Sequence, residues 1–172
     1  MGTNARLVEF VFWTMVTVMS FIVPCATGIG RSLRFDWNCG EHLMRAARAS
    51  TVEIAIEELE SALRWLKANH MTRGHTSLII PTPLEDVGQW YRNLNAELRT
   101  LRQIDPATQQ HECALALQRV RNVVTRDDEE ALNLPSGIEN FPHNWGFAIF
   151  NLAGVLGVVV GFVNMIAVAV SR

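Results

Sequence analysis

The 172 residues contain no GxGxxG, Walker loop, GxSxG or HExxH pattern. Those are the short motifs that mark dinucleotide, phosphate, acyl-transfer and zinc-protease chemistry. Nor does any stretch bring a nucleophile together with a base and a group to orient it, so the expectation is a protein that is not an enzyme. No Asn-x-Ser/Thr acceptor occurs, and no internal repeat or low-complexity tract. Neither sign of charge is in real excess: fifteen Lys+Arg stand against seventeen Asp+Glu, a formal net charge of -2. That balance gives no electrostatic case for nucleic acid or an anionic surface as partner. Lysine is nearly absent, Lys67 against fourteen arginines, which fits the base composition of a genome better than a function. Cysteine is sparse as well. Cys25, Cys39 and Cys113 are odd in number and widely spaced, which excludes a disulfide scaffold.

What the chain does have is two long apolar runs. The second, Trp145 to Val170, carries no charge over 26 residues and includes four glycines. As a helix it would be roughly 39 Å long at ~1.5 Å per residue, against a hydrocarbon core of roughly 30 Å. The first, Leu7 to Ile29, has 23 residues, or roughly 35 Å of helix. A cleaved secretory signal competes for this segment, because Arg6 precedes its apolar core. The core is long, however, and no clear small-x-small site follows it, so the reading is an uncleaved anchor. Pro24 is expected to kink this helix or end it a turn early. Glu9, Trp13, Thr17, Ser20, Pro24 and Thr27 recur at three- and four-residue steps and form a stripe suited to a helix–helix seam.

The final run carries Gly157-Val158-Val159-Val160-Gly161, a GxxxG pattern extended by Ala153, Gly154 and Asn164. Small residues let a neighbouring backbone approach closely where lipid removes any hydrophobic drive. Asn151 and Asn164, at membrane depth, each want a hydrogen-bonding partner. The expected helix-packing residues are therefore Gly154, Gly157, Gly161, Asn151, Asn164, Thr17 and Ser20. Their partner is either the other helix of this chain or a second chain.

Between the runs lie about 110 residues, enough for one modest core. The spacing predicts a polar junction over 30–38, a short helix from Glu41 to Ala49, and three longer helices. Ser50-Thr51-Val52-Glu53 reads as a capping box opening a helix to about Asn69, with Val52, Ala55, Ile56, Leu59, Ala62, Leu63 and Leu66 inward. Glu60 and Arg64 are spaced for an i,i+4 pair. The apolar run Leu78-Ile79-Ile80 is expected to plug the core. Thr82-Pro83-Leu84-Glu85 reads as the start of the next helix, whose stripe is Val87, Trp90, Tyr91, Leu94, Leu98, Leu101 and Ile104. Asp105-Pro106 then caps a helix with Cys113, Leu117, Val120 and Val124 inward. Asp127 to Glu130 reads as a solvated face.

Cys39, His42, His111 and Cys113 supply a zinc ligand set, but His111 and Cys113, two apart on a helix, point away from one another. The expectation is no metal, with free thiols, one bridge or a metal left as the alternatives for the two cysteines. His70 and His75 read as loop residues.

The sequence thus predicts an all-α protein: two transmembrane helices (7–29 and 145–170) bracketing a small helical-bundle soluble domain (36–132), with 133–144 as linker. The expected partners are the lipid bilayer and either a second copy or another membrane protein. No catalytic group and no cofactor is expected. An accessory or self-associating membrane protein is the first functional expectation. The second is a sensing or ligand-binding module, since the layout resembles extracytoplasmic ligand domains of bacterial receptors. An oligomeric channel ranks third. Flanking charges lean towards a bacterial inner membrane with the domain facing outward.

Overall fold

The structure, a computed structural model, describes residues 2–104, 110–126 and 131–170, with side chains from residue 6 onward. It is all-helical. Among the described residues no strand forms, and extended pairing is limited to the isolated bridges His75–Asp86 and Thr125–Leu132. The helices are α1 (Gly2–Phe35), α2 (Glu41–Ala47), α3 (Val52–Ala68), α4 (Val87–Arg102), α5 (Gln110–Val124) and α6 (Asn144–Val170). α1 and α6 are each long and apolar enough to cross a membrane. The chain divides into two compact units, residues 1–31 with 145–172 and residues 32–144.

Pro24 does not end α1, and the junction expected after residue 29 is helical instead. The helix passes through Phe35 into a π turn, Asp36–Gly40, closed by the Glu41 N–H donating to the Asp36 carbonyl, and then into α2. The side chains explain the continuity. Asn38 Nδ2 donates to the Arg34 carbonyl at 2.7 Å, and Phe35, Cys39 and Leu43 are all buried. In an ideal α-helix, residues four apart drift by about 40° per step; a wider turn absorbs that drift and keeps the three in register.

In the second unit α2 packs on α3 and α5, and α3 and α4 pack on each other and on α5. The inward stripe of α3 is as its period predicts, with Ile56 at the half-buried margin. Its cap is one residue later than predicted: Thr51, not Ser50, accepts from the Ile54 N–H at 3.4 Å. The helix ends in a Schellman motif: His70 N–H to Lys67 O at 3.2 Å, and Met71 N–H to Leu66 O at 2.8 Å. His70 takes the left-handed position at φ 59, and Met71 and Leu66 are both buried.

α4 begins later than predicted. Thr82 donates to Glu85 Oε2 at 2.6 Å instead of capping a helix, Pro83–Glu85 is a single 3-10 turn, and Asp86 is the cap, accepting from the Gln89 N–H at 2.9 Å. That backbone hydrogen bond is the main cause holding the Asp86 carboxyl below the usual carboxylate range; His75 and Arg92 add smaller effects against some desolvation. Val87, Trp90, Leu94, Leu98 and Leu101 face the core, and the Trp90 indole N–H donates to the Asn133 carbonyl at 3.1 Å. α5 buries Ala116, Val120 and Val124, with Cys113 and Leu117 at the margin. Glu60 pairs across helices with Arg102, at 2.7 Å, rather than along α3 with Arg64. Leu78 to Ile80 do not plug the core: Ile79 is 86% and Ile80 72% exposed. The core is already filled by Met71 and Ile138 from the loops on either side. The features expected at Asp105-Pro106 and at 127–130 lie outside the described residues.

Candidate functional site

In the membrane-type unit the polar and small side chains of both helices meet in one antiparallel seam. Read upwards along α1 and downwards along α6, the contacts are Thr14 with Met165, Thr17 with Gly161, Ser20 with Gly157, Pro24 with Gly154, and Gly28 with Phe147. From Thr14 to Gly28 is roughly 21 Å of helix at ~1.5 Å per residue, most of a hydrocarbon thickness.

The glycines set the separation. A Cβ added to Gly161 would collide with the Thr17 hydroxyl, and one added to Gly157 with the Ser20 hydroxyl. One added to Gly154 would lie 2.7 Å from the Pro24 ring and 2.9 Å from the Ser20 carbonyl oxygen. Proline has no N–H to donate four residues back, so Pro24 leaves that Ser20 carbonyl without its helical partner. The bare Cα of Gly154 lies against the same oxygen. A neighbouring helix commonly compensates a proline-freed carbonyl in this way within a membrane.

Thr17 and Thr14 donate back to the carbonyls of Trp13 and Phe10, each at 2.8 Å, so their hydroxyls enter the seam already hydrogen-bonded. Thr14 Oγ1 is also 3.4 Å from Met165 Sδ. Where α1 leaves the apolar stretch, the Phe147 ring covers Gly28, and the Arg31 guanidinium lies 5.6 Å from the ring centroid. Arg31 can therefore keep its charge near water while capping the seam with a cation–π contact.

Of the seven residues expected to pack, the structure brings Gly154, Gly157, Gly161, Thr17 and Ser20 together. Asn151 and Asn164 behave differently. Their side-chain amides donate to Phe147 and Val160 of their own helix, each at 2.8 Å. Those carbonyls take the role that the sequence reading assigned to another helix. Glu9 and Thr27, on the expected stripe, are exposed, and the seam continues through Gly28 and Arg31 instead. Pro24 lies on the expected stripe and does join the seam, whereas Gly28, Arg31, Phe147 and Met165 are seam residues outside the expected set. The available signal is the alternating three- and four-residue step, 147, 151, 154, 158, 161, 165, 168, on which α6 is half-buried or buried. Away from the seam the exposed surface of residues 10–26 and 145–170 is mainly apolar, with Phe21, Ile22, Ile149, Leu152, Val155 and Phe162 at least half exposed.

In the helical unit, Cys39 and Cys113 are free thiols, as is Cys25. Burial pushes the Cys39 thiol up to about 12, so it is a packed apolar group rather than a nucleophile. His42 Nδ1 is 2.5 Å from Glu58 Oε2, so that nitrogen is engaged by a carboxylate. Among the described residues no group of His, Cys, Asp and Glu is arranged to hold a metal ion. Among the described residues, two open depressions share Ala49, one of about 320 Å³ beside Arg45 and Arg48 and one of about 360 Å³ beside Arg121 and Asn122; a third, of about 150 Å³, lies between Arg48 and Arg121. Comparison of the chain with protein-family models, curated proteins and solved structures gives no match.

Proposed function

We propose that this is a two-span integral membrane protein without catalytic activity, which holds a helical domain at one membrane surface as an accessory subunit of a membrane complex. The observation that carries the reading is where the small-residue face goes. Gly154, Gly157 and Gly161 are occupied by Pro24, Ser20 and Thr17 of the same chain. The motif that would drive self-association is thus used to close a hairpin, and the surface left to lipid is mainly aliphatic and aromatic. This favours an accessory role over a homo-oligomer built on GxxxG. It also weighs against a channel, since Thr17 and Ser20 face glycines at contact distance and both asparagines are bonded to their own helix. With two spans the termini share one side. The flanking charges lean towards cytoplasmic termini, and on this reading the domain lies outside a bacterial inner membrane.

A second reading, a ligand-sensing module, is favoured by the adjoining depressions near Arg45, Arg48 and Arg121. The mass of the complex extracted from its native membrane in mild detergent separates the two. A defined hetero-complex supports the accessory role. A monomer supports the sensing module, and a homo-oligomer contradicts the hairpin-closed reading. Release of the protein by alkaline carbonate would remove the membrane premise itself.

A further inference from the structure

The segment between Thr76 and Glu85 is uncharged from Ser77 to Leu84 and forms a loop, a finger closed at its neck and exposed from Ile79 to Leu84. Its neck is pinned by Thr76 N–H to Glu85 O at 3.0 Å and by Val87 N–H to Gly74 O at 2.9 Å. Pro81 and Pro83 stiffen its tip, since each ring fixes φ. That tip presents Ile79, Ile80 and Leu84 at 86%, 72% and 87% exposure. Three large aliphatic side chains this exposed on a pinned loop mark a contact surface rather than loose chain.

The neck is tied to the residue that leads into the last apolar run. The Thr76 carbonyl accepts a hydrogen bond from Asn144 Nδ2, and Asn144 is the residue immediately before Trp145, where the uncharged 26-residue run begins. The finger is therefore rooted at the end of α6 that enters the apolar layer. Ile79 lies three residues beyond Thr76, so it can reach up to about 10–11 Å from that root at ~3.3–3.6 Å per residue. The headgroup region on each side of a bilayer is only about 5–8 Å deep. The order of polarity agrees. The Thr76 and Ser77 hydroxyls and the Asn144 side-chain oxygen are buried at the root with no hydrogen-bond partner among the described residues, and the apolar groups lie at the tip. Trp145, exposed and next in the chain after Asn144, supplies an indole that favours the interface.

We infer that the tip of this finger, Ile79, Ile80 and Leu84, inserts into the headgroup–acyl boundary of the membrane that α6 enters. The partner is lipid. With no charge from Ser77 to Leu84, neutral phospholipid is sufficient. The inference rests on the reading of α1 and α6 as membrane spans.

The test is nitroxide accessibility in the full chain, reconstituted at low protein-to-lipid ratio in phosphatidylcholine vesicles. The background is Cys25→Ala with Cys113→Ala, since buried Cys39 does not label. Single labels go on I80C and L84C, with V160C as the lipid-facing reference and E57C as the water-facing one. The expected result is that the Ile80 and Leu84 positions favour oxygen over a water-soluble nickel chelate, at values between the two references. If both read like Glu57 while Val160 reads as bilayer, the finger is in water and the inference fails although the spans stand. Low accessibility to both reagents would mean that protein covers the tip, which also overturns it. A water-like Val160 position would instead overturn the membrane reading on which the inference rests.

Discussion

His70 shows most directly how a single side chain is placed against its own preference. A Schellman ending requires a left-handed residue, which costs an L side chain about 1–2 kcal/mol relative to the right-handed basin. His70 occupies it at φ 59 with its ring exposed. His70→Gly is expected to raise stability by about 0.5–1 kcal/mol after the entropy glycine adds to the unfolded chain, read as the denaturation midpoint of the full protein in detergent. Cys39 gives a pH dependence. Its thiol is raised to about 12, above the ~8.5 of an unfolded cysteine, so the folded chain binds more protons between those values. Its contribution is complete below about pH 8.5 and falls as pH rises, with a slope of up to ~1.4 kcal/mol per unit. In Cys39→Ala that part of the slope should disappear. The glycines divide by what surrounds them. Gly154→Ala meets a proline ring and a backbone carbonyl, which cannot turn aside, and is expected to cost about 1–3 kcal/mol. Gly146→Ala meets nothing within 4 Å and should raise the same unfolding midpoint slightly, by the helix propensity that alanine gains over glycine, up to about 1 kcal/mol.

At the scale of elements, the parts legible in the sequence are those whose signals are local. The α3 stripe from Val52 to Leu66 and the α4 stripe through Trp90 and Leu101 follow from period alone, because each helix buries one face. Trp90→Ala is expected to cost about 3–5 kcal/mol, through lost packing and the unpaired Asn133 carbonyl. Trp90→Phe should recover most of the packing but not the hydrogen bond. What the sequence hides depends on the competitor for each group. Thr82 and Asp86 both have capping side chains, and the choice went to Asp86 because Thr82 found Glu85. Leu78 to Ile80 look like core because apolarity reports avoidance of water, not whether protein or lipid replaces it. The polar residues after Ile29 look like a break, yet Phe35, Cys39 and Leu43 bury one continuous face across them. Hydrogen exchange can check that continuity. Amides from Leu33 to Glu41 should exchange far more slowly than those at 77–80, which lie outside any helix; equal rates would mean that α1 ends where the apolar run ends.

At the scale of the whole molecule, everything turns on the hairpin. The small-residue face was legible as a packing surface, because Gly157 and Gly161 stand four apart among bulkier residues. Its partner was not, because the Ser20 and Thr17 stripe and a second copy of α6 offer equally close approach. The structure places the partner within the chain, through contacts whose numbers run oppositely along α1 and α6. Thr14 and Met165 are the pair for testing this, since their side chains touch at 3.4 Å and neither is a glycine of the seam. The measurement is cross-linking of T14C with M165C, in a Cys25→Ala, Cys113→Ala background, by a short thiol-specific bifunctional reagent in native membranes. The expected product is an internally linked chain of monomer mass, formed in proportion to reagent and independent of expression level. Linkage only between chains, giving dimer mass, would contradict the hairpin and return the GxxxG face to self-association.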